Sequence, residues 1–148
     1  MNLLDVEKQE MNWLTLGNGL ASDFLRLWRA YVHAVDDLVD GDVKGPEALL
    51  ATLAQSIALY SHPFYLENML ALRQVAITCT NAYADSVRWE NVETKWKREF
   101  ADHYRHIGVE MVLAVACICG GYDHMREASK RLREICYVEH HNVKGESV

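Results

Sequence analysis

Proline and glycine interrupt this chain at very few places, and that spacing constrains its fold more than any other feature. The 148 residues contain two prolines, Pro46 and Pro63, and each stands at a break between two predicted helices. Between the interruptions, apolar residues recur every three or four positions, as on one face of a helix. No segment shows the alternation typical of strands. The sequence predicts an all-α fold, with residues 1–148 forming one domain around one hydrophobic core.

The same spacing predicts a short N-terminal helix and about five longer ones. Gly41 closes the second helix, Pro46 suits the first turn of the third, and Gly120-Gly121 ends the fifth. The expected ranges are Leu3 to Leu14, Ser22 to Asp40, Pro46 to Tyr60, Phe64 to Trp89, Val92 to Cys119 and Tyr122 to His140.

Charge and cysteine usage exclude several classes of function. The net charge of −6 disfavours binding to nucleic acid or to an anionic membrane. We expect no transmembrane segment and no signal peptide, which makes the cytoplasm the expected location. The four cysteines form no C-x-x-C pair and lie in apolar helical contexts, so they are interpreted as reduced core thiols rather than as zinc ligands: Cys79, Cys117, Cys119 and Cys136.

The motif D-D-x-x-D gathers three carboxylates near the end of the second helix. Asp36, Asp37 and Asp40 project from one side of a helix, where their negative charges repel one another and oppose the helix dipole. A Mg²⁺ ion would compensate this charge, because it takes oxygen ligands and leaves positions for phosphate oxygens. The alternative is that these residues form the solvated face of an amphipathic helix.

A second polar stripe runs along the fourth predicted helix. Asn81 and Asp85 lie one turn apart and could share an ion, or they could belong to a hydrogen-bonded seam between helices. Arg29, Arg73 and Arg88 are candidates for binding diphosphate oxygens, which guanidinium groups contact well.

A third cluster combines two histidines with a glutamate. His103, His106 and Glu110 would share one face of the fifth predicted helix, a spacing that could bind a transition metal. Rim histidines with hydrogen bonds at the edge of a helical fold are the alternative.

The segment from Tyr31 to Gly41 resembles the first aspartate-rich motif of class I isoprenoid synthases, and it is closest to the squalene/phytoene synthase version. The resemblance implies a terpenoid-synthase-like helical fold. It also implies that Asp36, Asp37 and Asp40 hold Mg²⁺ ions, which bind a substrate diphosphate and assist its ionisation.

The second metal motif of that family, N-D-x-x-S-x-x-x-E in terpene cyclases, is matched only in part. Asn81 stands at its first ligand position and Asp85 stands where the serine is expected. Trp89 replaces the glutamate, and Ala82 replaces the aspartate that follows the asparagine. The chain is also shorter than the catalytic domains of the family, so the resemblance implies a reduced relative.

Two other functions stay open. The stretch from Glu7 to Glu10, followed by Asp37 to Asp40, loosely resembles the E-x-x-E and E-x-x-D motifs of all-α nucleoside triphosphate pyrophosphohydrolases, which use Mg²⁺ to activate water. A helical bundle without enzymatic activity would instead serve as a binding or assembly module, with a homo-oligomer as one form of it.

Overall fold

The computed structural model describes the backbone of residues 3–143 and the side chains of residues 8–136. All regular secondary structure within that part is helical, so the all-α prediction is confirmed. The helices are α1 (Leu3–Leu14), α2 (Gly19–Asp40), α3 (Pro46–Tyr60), α4 (Pro63–Glu67), α5 (Met69–Trp89), α6 (Lys95–Tyr104) and α7 (Val109–Val143).

The chain divides into two compact units, Met1–Ala71 and Leu72–Val148. Each unit has its own buried apolar residues, and each is described by itself below. The expectation of one domain stays a prediction.

In the first unit, α2 packs against α1, α3 and α4. Phe24 is fully buried, and its ring centroid lies 5.7 Å from that of Phe64 and 6.0 Å from that of Tyr65. At the turn between α1 and α2, the buried hydroxyl groups of Thr15 and Ser22 share a hydrogen bond of 2.7 Å. The unit therefore combines an aromatic core with a buried polar contact that fixes the entry into α2.

The second helix begins three residues earlier than the sequence suggests. The Asn18 side-chain oxygen accepts a hydrogen bond of 3.0 Å from the backbone N–H of Ala21, which caps the first turn. Gly19 therefore lies inside the helix, although its position after Gly17 and Asn18 favours a turn.

The predicted helix from Phe64 to Trp89 is two helices, because Asn68 ends α4. The Asn68 side-chain amide donates to the Phe64 carbonyl at 2.9 Å, and its backbone leaves the helical region with φ −112° and ψ 22°. Asparagine competes with the helix for backbone hydrogen bonds in this way, and no proline or glycine marks the position.

In the second unit, the predicted helix from Val92 to Cys119 is also interrupted. It begins at Lys95, and between Tyr104 and Val109 the chain tightens into a 3₁₀ turn. There the N–H of Ile107 donates to the Tyr104 carbonyl at 3.1 Å, three residues back. An ion pair between the half-buried Arg105 and Glu90 ties this turn to the end of α5.

Helix α7 reverses direction at Gly121, as the predicted stop at Gly120-Gly121 indicates. Gly121 has φ 82° and ψ −177°, a conformation essentially restricted to glycine. Glu110 and Arg133 are 23 positions apart and would lie roughly 35 Å from each other on a straight helix. Their carboxylate and guanidinium are only 2.5 Å apart. The arms 109–120 and 122–143 therefore fold back on each other as a helical hairpin.

One helical stretch of the described chain, Lys95–Cys136, is long and apolar enough to cross a membrane by length and composition. The hairpin divides it, because the apolar arm before Gly121 covers only residues 109–120, and a span needs about 20 residues. The absence of a transmembrane segment stays a prediction, and the reversal at Gly121 supports it.

Candidate functional site

The three aspartates of the D-D-x-x-D motif lie on the last turns of α2. Asp36 is half-buried, whereas Asp37 and Asp40 are exposed. Residues 36 and 40 are one helical turn apart, so their carboxylates leave the same side of the helix, with Asp37 beside them. The helix end therefore presents a carboxylate cluster that solvent can reach.

The backbone at this helix end is fixed by Gly41. Its φ of 78° is left-handed, and the Asp37 carbonyl accepts hydrogen bonds from the N–H groups of Gly41, Asp42 (2.9 Å) and Val43 (3.3 Å). The backbone therefore satisfies this carbonyl, and the aspartate side chains supply the negative charge that a cation at the helix end would meet.

The cluster fits a Mg²⁺ ion only when other ligands complete its shell. Among the described histidine, cysteine, aspartate and glutamate residues, no group of three is arranged to hold a metal ion. Mg²⁺ is usually bound through one or two carboxylates, and water and phosphate oxygens supply the other positions. Asp36 and Asp40 could supply these two carboxylates. The predicted Mg²⁺ site stays a prediction, and it requires a phosphate group among the other ligands.

Two arginines on α2 precede the aspartates. Arg26 forms an ion pair of 2.6 Å with Asp23. Arg29 is exposed and lies seven residues before Asp36, about 10 Å along the helix axis. Arg29 is therefore the arginine of the first unit that comes closest along α2 to the carboxylate cluster.

The second polar stripe lies on α5, in the second unit. Asn81 is exposed and Asp85 is half-buried, one turn apart. The Thr78 hydroxyl donates to the carbonyls of Gln74 (3.1 Å) and Val75 (3.0 Å), so it is bonded to its own helix. Arg73 and Arg88 are exposed on the same helix. The role of this stripe as a group of metal ligands stays a prediction.

The cluster of His103, His106 and Glu110 does not share one helix face. His103 lies on α6, which ends at Tyr104, and His106 lies in the 3₁₀ turn. Glu110 lies in the first turn of α7 and pairs with Arg133. These three residues would share one face only on a continuous helix from residue 103 to residue 110, and the 3₁₀ turn interrupts that helix.

A buried thiol lies close to this turn, although its sequence context predicts only a core residue. The Cys79 thiol donates a hydrogen bond of 3.4 Å to the Ile107 carbonyl. Burial raises the pKa of this thiol to about 11, and the negative charge of Glu110 adds to the rise, although a hydrogen bond from the Met111 backbone acts against it. Cys79 is therefore protonated at neutral pH.

We expect Cys79 to resist alkylation in the folded protein, because the thiolate is the reactive species and this thiol is 5% exposed. Mass-spectrometric mapping after iodoacetamide treatment at pH 8 should find Cys79 unmodified, and modified once urea is present. Labelling of Cys79 at the rate of the half-buried Cys117 in the folded state would contradict this.

The raised pKa also predicts a pH dependence of stability. The unfolded thiol ionises near 9.0 and the folded thiol near 11, so the stabilisation is complete below pH 9 and is lost as the pH rises toward 11. Urea titrations should show a smaller decline over this range for Cys79→Ala than for the wild type.

The sequence alone does not predict the unusual surface of α3. Four large aliphatic side chains of this helix are more than half exposed: Leu49, Leu50, Leu53 and Ile57. The available signal was composition, since Glu47 is the only charged residue between Pro46 and Tyr60. A helix that is apolar on nearly every side is normally buried.

Comparison with family models, with curated proteins and with solved structures finds no match to this chain, so the candidate site rests on its own residues.

Proposed function

We propose that this protein binds Mg²⁺ together with a small molecule that bears a diphosphate group, at the C-terminal end of α2. The observation that carries the proposal is the position of three carboxylates on the last turns of this helix, where both mutual repulsion and the helix dipole disfavour them. A divalent cation would reduce both the repulsion between the carboxylates and their unfavourable interaction with the helix dipole. The resemblance to the first aspartate-rich motif of isoprenoid synthases points to the same ligand.

In this proposal Asp36 and Asp40 hold the metal ion from one side of α2, and Asp37 completes the acidic surface. Arg29 supplies a guanidinium for the diphosphate oxygens. Asn81, Asp85, Arg73 and Arg88 lie in the second unit, and the roles that the sequence suggests for them stay predictions.

The chemistry of such a site is neutralisation of phosphate charge. Mg²⁺, when bound, would supply the positive charge that stabilises a diphosphate, and the arginines would orient it. The missing glutamate at Trp89 favours ligand binding over turnover, in a terpenoid-synthase-like protein of the cytoplasm.

Thermal melts with Mg²⁺ and pyrophosphate, alone and together, test the proposal. We expect a rise in melting temperature that requires both ligands and corresponds to about 2.7 kcal/mol when the free ligand is at a hundred times its Kd. The double variant Asp36→Asn/Asp40→Asn should lose this rise.

The matched control is Asp42→Asn/Glu47→Gln, which removes two exposed negative charges from the same unit and leaves the cluster intact. It should keep the wild-type shift. An unchanged shift in the Asp36/Asp40 variant, or no shift in the wild type, would refute the proposed site. Pyrophosphate release from a nucleoside triphosphate would instead indicate the pyrophosphohydrolase function. Of the first motif for that function, the side chain of Glu7 lies outside the described residues, and Glu10 is half-buried.

The second candidate function is a helical assembly module. The specific observation in its favour is the exposed aliphatic surface of α3, because apolar surface of this kind marks interaction sites.

A further inference from the structure

Two tryptophans of the second unit form a corner where α5 ends and α6 begins. Trp89 is the last residue of α5, and Trp96 lies in the first turn of α6. Their ring centroids are 5.6 Å apart, and the ring planes are nearly perpendicular, at 78°. Trp89 is half-buried, whereas Trp96 is 57% exposed. We name these two rings the indole corner, and solvent reaches it from the side of Trp96.

The ammonium of Lys97 occupies the indole corner. Its Nζ atom lies 5.5 Å from the ring centroid of Trp89 and 5.6 Å from that of Trp96, so the ammonium and the two centroids form a nearly equilateral triangle. Within the described part of the chain, this ammonium contacts the two rings and pairs with no carboxylate. The faces of aromatic rings attract cations, and here two rings share one.

The indole corner is held in place from behind. The Trp89 ring packs edge-to-face on Phe100 at a centroid distance of 5.2 Å, and Phe100 stacks on Tyr104 at 4.0 Å. The Arg98 guanidinium donates to the Val92 carbonyl at 2.8 Å, which fixes the loop between the two tryptophans. A site whose walls are fixed before the ligand arrives loses less conformational entropy on binding.

The charges near the indole corner favour a cationic ligand over an anionic one. The neighbouring cations are already engaged, since Lys95 pairs with Glu99 at 3.6 Å and Arg105 pairs with Glu90. Glu93 lies in the loop between the two tryptophans and forms no ion pair with any described residue. Its carboxylate therefore disfavours a ligand that carries a phosphate and favours a cation.

A methylated ammonium would suit the indole corner better than Lys97 does. A primary ammonium is compact and strongly hydrated, so contact with apolar rings costs it part of its hydration. A quaternary ammonium donates no hydrogen bonds to water, and aromatic rings recognise such cations. We propose that the indole corner binds a small molecule with a quaternary ammonium group, which displaces Lys97. The proposal goes beyond the Mg²⁺ site and uses residues of the second unit alone.

Choline and its neutral analogue, in which a carbon atom replaces the nitrogen, test the proposal, because the two molecules share their shape and differ in charge. Nuclear magnetic resonance of ¹⁵N-labelled protein follows the indole N–H signals of the four tryptophans at constant ionic strength. Choline should shift the signals of Trp89 and Trp96 in a saturable way, whereas the neutral analogue should not. Trp13 and Trp28 belong to the first unit and serve as internal references.

Variants of the two nearby lysines separate the indole corner from general charge effects. Lys97→Ala removes the ammonium that occupies the corner, so it should bind choline about two- to fivefold more tightly than the wild type, the factor that corresponds to a cation–π contact at an exposed site. The matched control is Lys95→Ala, which removes the same charge from a lysine that pairs with Glu99 instead. It should bind choline as the wild type does. Circular dichroism shows whether each variant is folded.

Three results would overturn the proposal. The first is a wild type whose indole signals show no saturable shift up to about 0.1 M choline. The second is an equal shift with choline and with its neutral analogue, which would indicate apolar contact without recognition of charge. The third is a folded Lys97→Ala variant with the choline affinity of the wild type, because the lysine would then not occupy the ligand's position.

Discussion

Replacement of Phe24 by alanine is expected to lower the free energy of unfolding by about 3–5 kcal/mol, the range measured for large aromatic side chains in tightly packed cores. Phe24 has no exposed surface, and its ring contacts those of His62, Phe64 and Tyr65 at centroid distances of 5.7–6.0 Å. The loss combines the transfer of the ring to water with the cavity that its removal leaves.

Urea titrations followed by circular dichroism measure this loss. Leu70→Ala is the matched control, because Leu70 belongs to the same unit and is 94% exposed. It should change the free energy of unfolding by no more than about 0.5 kcal/mol. A similar loss in both variants would mean that the aromatic cluster is not the core of the first unit.

Replacement of Met111 by alanine should destabilise the second unit by about 2–5 kcal/mol, since Met111 is completely buried near the start of α7. The control is Ile77→Ala in the same unit, where Ile77 is 52% exposed. A Met111 variant as stable as its control would show that this part of α7 is not packed.

The two core variants together test the single-domain prediction. If residues 1–148 unfold in one cooperative transition, each substitution should shift the whole curve. If the two units unfold separately, Phe24→Ala should shift one transition and Met111→Ala the other.

Most of the helix boundaries that the sequence predicts correctly are set by proline or glycine. The bounds of α3 follow from Pro46 at its first turn, and the end of α2 follows from Gly41, whose positive φ suits glycine. The reversal at Gly121 belongs to the same group, because its backbone conformation excludes other residues.

Two of the boundaries that the sequence misses depend on single hydrogen bonds. Asn68 ends α4 through its bond to the Phe64 carbonyl, and Asn18 starts α2 early by accepting from Ala21. Asparagine occurs in turns, caps and helices alike, so its type does not identify which bond will form.

For the candidate site, spacing alone places Asp36, Asp37 and Asp40 on one side of a helix. It does not give their exposure, because burial depends on the neighbouring helices. The sequence does not predict which residues of α3 are exposed for the same reason, since its composition is apolar nearly all round.

The α7 hairpin also bears on how the second unit assembles. The bond between Arg133 and Glu110 closes a loop of 23 positions, most of which are already helical. The entropy lost on closing a loop grows with its length, and helical segments leave few free dihedral angles to fix. Contacts between the two arms are therefore among the least costly long-range contacts that this unit can make. A chain whose contacts are local in sequence folds quickly. The reversal at Gly121 brings the two arms of α7 into such a contact, and both arms belong to the second unit.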